Sequence, residues 1–577
     1  MRHHLRHRIA GRIPALAAAA ATLVGLINVA STLTPNIRWR GHLLLTFEPV
    51  AAMRLFHAFA LPAGVALLLV APYLLKRRRR ALQAAVALMV ALGFLNLFKG
   101  LDFEETAITW ITAALLYSAR DTFRVEHDPI TLRSSVWRVP LLGLGGVVVA
   151  AVSAWATEGQ PSWSRVVRET GDLLVWRDTG PLNFRRHLVH FHHHAFAWVP
   201  LGVHLVEIGT ILTIAYVVFR PLTAPRGLPG PAARRAAEAV VRAHGSDTLS
   251  FFKLRSDKQY LFSADRSALV GYRIESGVLL LSGDPVGPEA AIPQLLDDVA
   301  EFAASRGLKL AAVGASERLR PVYEAMGLHA MYLGDEAIID VDRFSLEGRP
   351  IRKVRQSVSR LQKAGFSAEI NAVSELSPAT AREVDEVLER GRQGAPERGF
   401  SMGMESIQGQ HDADTLVVLA RDESDPARPV RGVLHFVPCY GRPAMSLSIM
   451  RRDPETPNGL TEFMVVKAIE LLRERGVAEL SLNFATFARW LHSPANRWER
   501  LCGKVVAAFN PFFQIESLYR FNAKFFPRWE QRYLVYEGRL DLPRTGLAAL
   551  WVEGQIPKPD VRRAAGAGSP RLVARAR

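Results

Sequence analysis

Read for its apolar and polar positions, the chain changes character near residue 220. Before that point it carries apolar runs long enough to cross a bilayer, which takes ~20 helical residues. They cover Ile13–Ser31, Phe56–Leu75, Ala81–Phe98, Phe103–Ser118, Trp137–Ala156 and His194–Phe219. The fourth is the weakest, being short and starting beside Glu104 and Glu105. After residue 235 the runs shorten and alternate between strand and helix periods, the pattern of an α/β domain.

Two hairpin signatures stand out in that second half. One joins Ala268–Ile274 to Val278–Ser282 through Glu275-Ser276-Gly277; the other joins Val430–Val437 to Ala444–Met450 around Tyr440-Gly441-Arg442. The first leads to a helix Glu289–Arg306, a strand Lys309–Gly314, a helix Glu317–Gly327 and a strand Glu336–Val341. The second leads to a helix Gly459–Arg475, a strand Glu479–Phe484, a helix Glu516–Phe526 and a strand Arg532–Tyr536. The order β-β-α-β-α-β thus occurs twice and predicts a duplicated α/β unit. The expected domains are a membrane domain over 1–220, a Pro/Gly-rich linker over 221–235, a first unit over 236–345, a second over 346–542, and a basic, unstructured tail over 543–577.

Charge adds orientation and partners. Lys and Arg lead the first span, follow the second at Lys76–Arg80, and follow the fourth near Arg120–Arg138. These positions share one side if six spans are real, so the α/β half lies in the cytosol. MRHHLRHR before an apolar core also has the layout of a signal peptide, but the spans that follow make an uncleaved anchor the simpler reading. A net charge of +17 and a pI near 10.2 imply attraction to nucleic acid or anionic lipid. Two cysteines, Cys439 and Cys502, without CxxC spacing argue against a disulfide framework or a thiol metal site. Imidazoles at His187, His190, His192, His193 and His194 suit zinc or copper, yet no carboxylate or cysteine pattern fixes a geometry. Neither a metal nor a cofactor is expected.

The candidate chemistry sits where strands lead into helices. LLLSGDPVGP in the first unit and SLSIMRRDPETPNG in the second place Asp284-Pro285 and Asp453-Pro454 at corresponding junctions. Free N–H groups and the positive dipole end collect there, which suits an anion or oxyanion. Between the units, Arg349–Lys363 holds six basic residues and no acid. Ile351, Val354, Val358 and Leu361 form its helical stripe, and Arg352, Lys353, Arg360 and Lys363 point away. A solvated face and a phosphate-binding face, for lipid headgroups or RNA, both fit that pattern.

SADRSALVGYRIESGVLLLSGDPVGP, IRKVRQSVSRLQKAGF, RGFSMG, MRRDPETPNGLTEF, LSLNFATF and LYRFNAKFFPRWEQRYLVY together resemble the phosphatidylglycerol lysyltransferase family, in order over roughly residues 235–540. The resemblance implies an α-helical membrane domain followed by a cytosolic, tandem GNAT-like acyltransferase domain. The implied reaction passes an aminoacyl group, lysyl first among candidates, from aminoacyl-tRNA to a phosphatidylglycerol hydroxyl. The resemblance also implies a multi-pass bacterial cell-membrane protein and a role in antimicrobial peptide resistance. Longer members add spans linked to lipid flipping, and some fuse a lysyl-tRNA synthetase; the implication here is synthesis without either, drawing on the cell's charged tRNA. Partners are then aminoacyl-tRNA, phosphatidylglycerol, the anionic inner leaflet and a second copy of the chain as a candidate oligomer partner. The alternatives are a GNAT-like transferase with another lipid or peptide acceptor, and a non-enzymatic RNA-binding membrane anchor. MRRDPETPNG lacks the glycine pattern of an acetyltransferase pyrophosphate loop, which disfavours coenzyme A.

Such a transfer needs a positioned hydroxyl, a proton acceptor and oxyanion donors, and a cationic amino acid needs facing carboxylates. Glu462 is the leading ammonium ligand or base, with a helix-dipole acid as its plainer reading. Arg451 and Arg452 suit phosphate or the ester oxygen; strand alternation sends them to opposite faces, so one of them enters the site. Asp453 either acts or initiates the turn, and Asn483 either orients the ester or caps a strand. Substrate-binding candidates are Arg352, Lys353, Arg355, Arg360, Arg398 in RGFSMG, Asn458 and Asp284. Ser448 stands where family members often carry Asp, which argues against a lysyl donor, and His435 reads as a core histidine.

Overall fold

A computed structural model of the chain describes residues 2–33, 50–100, 102–126, scattered positions between 141 and 167, 229–392, 399–404, 406–407, 413–486 and 515–556. The chain divides near Pro225 into two compact units.

The first unit holds helices α1 (Arg2–Leu33), α2 (Val50–Leu75), α3 (Arg79–Gly100) and α4 (Phe103–Ser118). Small residues let α1 and α2 approach: a Cβ added at Gly25 would stand 2.7 Å from Leu68 Cδ2. A buried amide pair, Asn96 Nδ2 to Asn28 Oδ1 at 2.6 Å, ties α3 to α1. Among the described residues two stretches, Arg12–Thr32 and Arg79–Phe98, are long and apolar enough to cross a membrane. Ala63–Leu75 is apolar but shorter, and α4 has 16 residues, so the described helices do not establish six spans. The expected fifth and sixth spans lie largely, and the His187–His194 loop wholly, outside the described residues.

The second unit begins with α5 (Pro231–His244) and is built on one sheet. Its first half contains β1 (Gln259–Phe262), β2 (Leu269–Glu275), β3 (Val278–Ser282), α6 (Ile292–Ser305), β4 (Lys309–Ser316), α7 (Arg320–Ala325) and β5 (His329–Asp340). Then follow α8 (Arg352–Lys363), β6 (Phe366–Ala372), α9 (Pro378–Arg392), β7 (Leu416–Asp422), β8 (Val430–Cys439), β9 (Ala444–Arg452), α10 (Leu460–Arg473), β10 (Glu479–Thr486), α11 (Ile515–Ala523), β11 (Arg528–Tyr536) and α12 (Leu542–Val552).

Among the described residues eleven strands pair in the order β1-β2-β3-β4-β11-β5-β10-β9-β8-β7-β6. That order is nearly a palindrome. β3 and β4 mirror β9 and β10, and β11 mirrors β5, so each half lends its last strand to the other. The duplication read from the sequence is therefore one fused sheet rather than two separate beads.

Its helices follow from their apolar stripes. Val354, Val358 and Leu361 of α8 join Leu460, Phe463, Met464, Ala468, Ile469 and Leu472 of α10 in one core. Each large side chain so buried contributes roughly 1.5–3 kcal/mol relative to exposure. Val384 and Val387 of α9 cover the other face of the second half. α6 packs on one face of the first half, and α5 with α12 on the other. This last observation corrects the expected tail. Ala548, Ala549 and Val552 are core residues, so order continues well past residue 543 because α12 has an apolar face to bury.

Candidate active site

The site grows from a gap in the sheet. β9 and β10 run parallel and pair only from Ala444/Glu479 to Ser446/Ser481. Just beyond, each strand carries an extra residue. Ser448 is unopposed between the pairs His435/Ile449 and Phe436/Leu447. In β10 the step from Ser481 to Phe484 spans one residue more than its partner β5, and Asn483 there adopts φ +64°. Bulges re-aim side chains, and a non-glycine residue in the left-handed region is a form of strain that collects at functional sites.

Asn483 bridges the opening. Its Nδ2 donates to Leu447 O and, at 3.0 Å, to Met402 O. Both neighbours are carbonyls, so the amide must turn its NH2 toward them and its Oδ1 away. That Oδ1 is buried and has no hydrogen-bond partner among the described residues. A buried acceptor left unmade costs ~1–3 kcal/mol, and a substrate N–H or O–H would recover it. The loop Gly399–Met404 crosses the same place: Met404 N donates to Ser448 Oγ at 3.0 Å.

The other candidates lie farther along. Asp453 is 3% exposed and accepts from Glu455 N at 3.0 Å and Arg431 Nη1 at 3.1 Å, with Arg390 Nε at 3.5 Å. Burial pushes its pKa up, but those donors outweigh burial and leave it below the ordinary carboxylate value. Thr456 Oγ1 closes the turn on Asp453 O at 2.6 Å. Arg452 Nη1 reaches Thr456 Oγ1 at 2.8 Å, whereas the Arg451 stem lies against Gly391 of α9. Glu462 pairs with Lys524 Nζ at 2.6 Å, its side chain 17% exposed. Among the described residues no hydrogen bond or ion pair joins Asn483 to Asp453 or Glu462.

Asp284 does not occupy the place of Asp453. Counted from the first parallel pair of each half, it lies six residues along β3 and beyond, against nine for Asp453 along β9 (284 − 278; 453 − 444). Its carboxylate accepts from Ser316 N at 3.0 Å and Ser316 Oγ at 2.5 Å, closing the first half's own gap. Both Asp-Pro pairs do lie at mirrored strand-to-helix junctions, but at different registers, because β9 continues farther than β3 before turning. On α8, Arg355 folds back onto Leu346 O at 2.6 Å and Arg360 holds Asn458 O, while Arg352 and Lys353 are exposed. Arg398 lies outside the described residues. His435 is buried, which pushes its pKa down to about 3 and makes it a poor base near neutral pH. Among the described residues no cluster of His, Cys, Asp and Glu suits a metal.

What sequence reasoning missed is the buried charge beside the gap. Arg532 of β11 donates Nε to Glu336 Oε2 at 2.8 Å and Nη1 to Asp247 Oδ2 at 2.7 Å. Thr248 and Ser481 complete Glu336 through Oε1, at 2.6 and 2.5 Å. Lys253 is buried nearby; burial pushes its pKa down to about 8 against the pull of Asp247 and Asp284. Burial raises the Asp284 pKa too, with Asp247 adding to it. Only the isolated charges in otherwise strand-like segments hinted at this cluster.

Comparison with known proteins agrees with the fold and its family. The family model described as phosphatidylglycerol lysyltransferase, C-terminal, matches residues 238–536. A lysylphosphatidylglycerol biosynthesis bifunctional protein LysX of Nocardia farcinica is 30% identical over 599 aligned residues, covering 98% of this chain and 50% of that protein. The protein of the same name in Mycobacterium sp. (strain JLS) is 36% identical over 365, covering 61% and 33%. The chain thus spans half or less of the length of these relatives. The solved structure of L-PGS from Bacillus licheniformis superposes with a TM-score of 0.51 at 22% identity, covering 58% of this chain and all of that one, a likeness of fold.

Proposed function

The chain belongs to the phosphatidylglycerol lysyltransferase C-terminal family, and from that premise we propose that it transfers an aminoacyl group from aminoacyl-tRNA to phosphatidylglycerol. The relatives' names, lysylphosphatidylglycerol biosynthesis proteins, make lysyl the group to test first. The observation that carries this reading is the buried Asn483 Oδ1 at the parting of β9 and β10, which has no partner among the described residues and lies within the matched region.

The chemistry follows from what surrounds that atom. The transfer breaks the tRNA ester, forms a new ester to a lipid hydroxyl and moves that hydroxyl's proton to the departing ribose oxygen. Asn483 Oδ1 accepts from the substrate ammonium or hydroxyl and so orients it. Glu462, balanced by Lys524, is the carboxylate for a cationic side chain, and one of Arg451 and Arg452, which alternate across the strand, meets phosphate or ester oxygen. The solvent-facing Arg352 and Lys353 serve the phosphates of tRNA or the anionic leaflet, with Arg355, Arg360 and Asn458 building that edge. A multi-pass anchor with the sheet in the cytoplasm would bring the two substrates together.

The test is a lipid extraction from host cells with and without the chain, read by mass spectrometry. The expected result is a new aminoacylated phosphatidylglycerol, lost when membranes are assayed with ribonuclease-treated tRNA. Extracts that hold no new amino lipid with any charged tRNA would sink the proposal.

A further inference from the structure

The loop that offers Met402 O to Asn483 is held by charges that come from distant parts of the chain. Glu553, just past α12, is 7% exposed. Its carboxylate accepts from Phe400 N at 2.8 Å, Ser401 N at 3.1 Å and Ser401 Oγ at 2.5 Å. Its own carbonyl accepts from Gly399 N at 3.1 Å. From the other side the fully buried Lys258 donates to Phe400 O, with its ammonium 3.0 Å from the Phe400 ring centroid. Arg255 Nη1 donates to Gly403 O at 3.0 Å and is itself held by Asp257 at 3.0 Å. Ser282 Oγ adds a bond to Phe400 O at 3.3 Å.

A connector needs none of this. Taking a carboxylate and an ammonium out of water costs several kcal/mol per ion unless their hydrogen bonds are well made. Here those bonds go to the backbone of one short loop, whose next residues are the partners of Asn483 and Ser448. A carbonyl fixed at Met402 leaves the Asn483 amide one orientation, with Nδ2 spent on two carbonyls and Oδ1 turned away from both. We propose that Glu553, assisted by Lys258 and Arg255, is a positioning residue: it clamps Gly399–Met404 so that Met402 orients Asn483 for the transfer. The clamp borrows its charges from the first half of the sheet and from the C-terminal helix, which gives those parts a role in a site formed by the second half. This inference rests on the function proposed above.

The experiment uses the full chain in lipid nanodiscs, as wild type, Glu553→Gln and Lys258→Met. Two readouts are taken together: amide hydrogen exchange by peptide, and kcat and KM for the phosphatidylglycerol acceptor. Gln keeps the shape of Glu553 but faces an N–H with an NH2, and Met keeps the stem of Lys258 without the donor. The expected result is faster exchange in 399–404 with α10 as protected as in wild type. With it, kcat falls by roughly tenfold to a hundredfold, the range a misplacement of about 1 Å produces, and KM stays within about twofold. Unchanged exchange in 399–404 overturns the clamp. Faster exchange with wild-type kcat overturns its part in positioning. If even the wild type transfers nothing, the function fails, while exchange still decides the clamp.

Discussion

The two halves of the sheet solve the same geometric problem in opposite ways. In each, two parallel strands pair for a few residues and then part, and in each the later strand bulges through a left-handed residue. Gly314 does this in β4 at φ +80°, and Asn483 in β10 at φ +64°, one residue apart when the parallel registers are aligned (314 − 309; 483 − 479). The first half seals its gap: Gly283 N bonds Val313 O at 2.8 Å and Asp284 fastens Ser316. In the second half the parallel pairing stops at Ser446/Ser481, an amide reaches across to Leu447 O, and among the described residues one amide oxygen has no partner. Glycine is the unstrained choice at such a bulge. The second one carries an asparagine instead, strained at φ +64° and with its side chain donating to Leu447 O and Met402 O.

The comparison can be broken most severely at its centre. Replacing Arg532 by Met strips Glu336 and Asp247 of their shared cation in a buried site, which costs about 3–5 kcal/mol. A denaturation midpoint close to wild type would show that the two halves do not depend on that cluster. Next in size is Asn483→Gly, which suits the left-handed backbone and removes only the amide. Aminoacyl transfer should fall by roughly 10²–10³, the scale of a lost oriented polar group at a reacting centre. A rate within a few-fold of wild type would make the second gap as structural as the first.

Lys253 sharpens the comparison by pH. In the folded chain its amine titrates near pH 8, against an ordinary value of 10.5. Between those values the unfolded chain binds more protons, so the stability owed to Lys253 rises with pH across that window. The increase is bounded at roughly 3 kcal/mol, and Lys253→Met should flatten it; a wild-type profile that falls from pH 8 to 10 while the variant's is the same would refute the assignment. The smallest effect belongs to Glu462→Gln. Its pair with Lys524 is partly solvated and worth under about 1 kcal/mol of stability. Transfer should nevertheless drop about tenfold if the carboxylate meets a substrate ammonium. Equal kcat/KM in variant and wild type removes Glu462 from the site.

Much of this architecture was legible in the pattern of residues. The hairpins around Gly277 and Gly441 and the helices after them lie within a few residues of their expected places, because turn residues and apolar period act locally. The edge strands β1 and β6, the strand β7 between β6 and β8, and the helix α9 carry no clear signature of their own in the sequence. Their stripes are short or mixed with charge, as in Phe366–Ala372, and only pairing with a neighbour makes them strands. The candidate site was half legible. Asn483 could be picked out as a strand-end polar residue, but its unpartnered oxygen depends on Met402 and Leu447, far away in sequence. The basic, small residues that follow Glu553 give it the look of a tail; its partners at Phe400 and Ser401 are 153 and 152 residues away.

By itself, the sequence determined the apolar helices of the first unit, the doubled α/β order, the basic face of α8 and the family. All of these rest on residue type and spacing, which local sterics and burial translate directly into elements. Tertiary structure alone decided that the halves exchange their last strands, that one gap is fastened by Asp284 and the other crossed by Asn483, and which buried charges meet around them. Those facts depend on contacts between residues tens to hundreds of positions apart, where the cost of burying Arg532, Lys258 or Glu553 is met only once the sheet has closed around them.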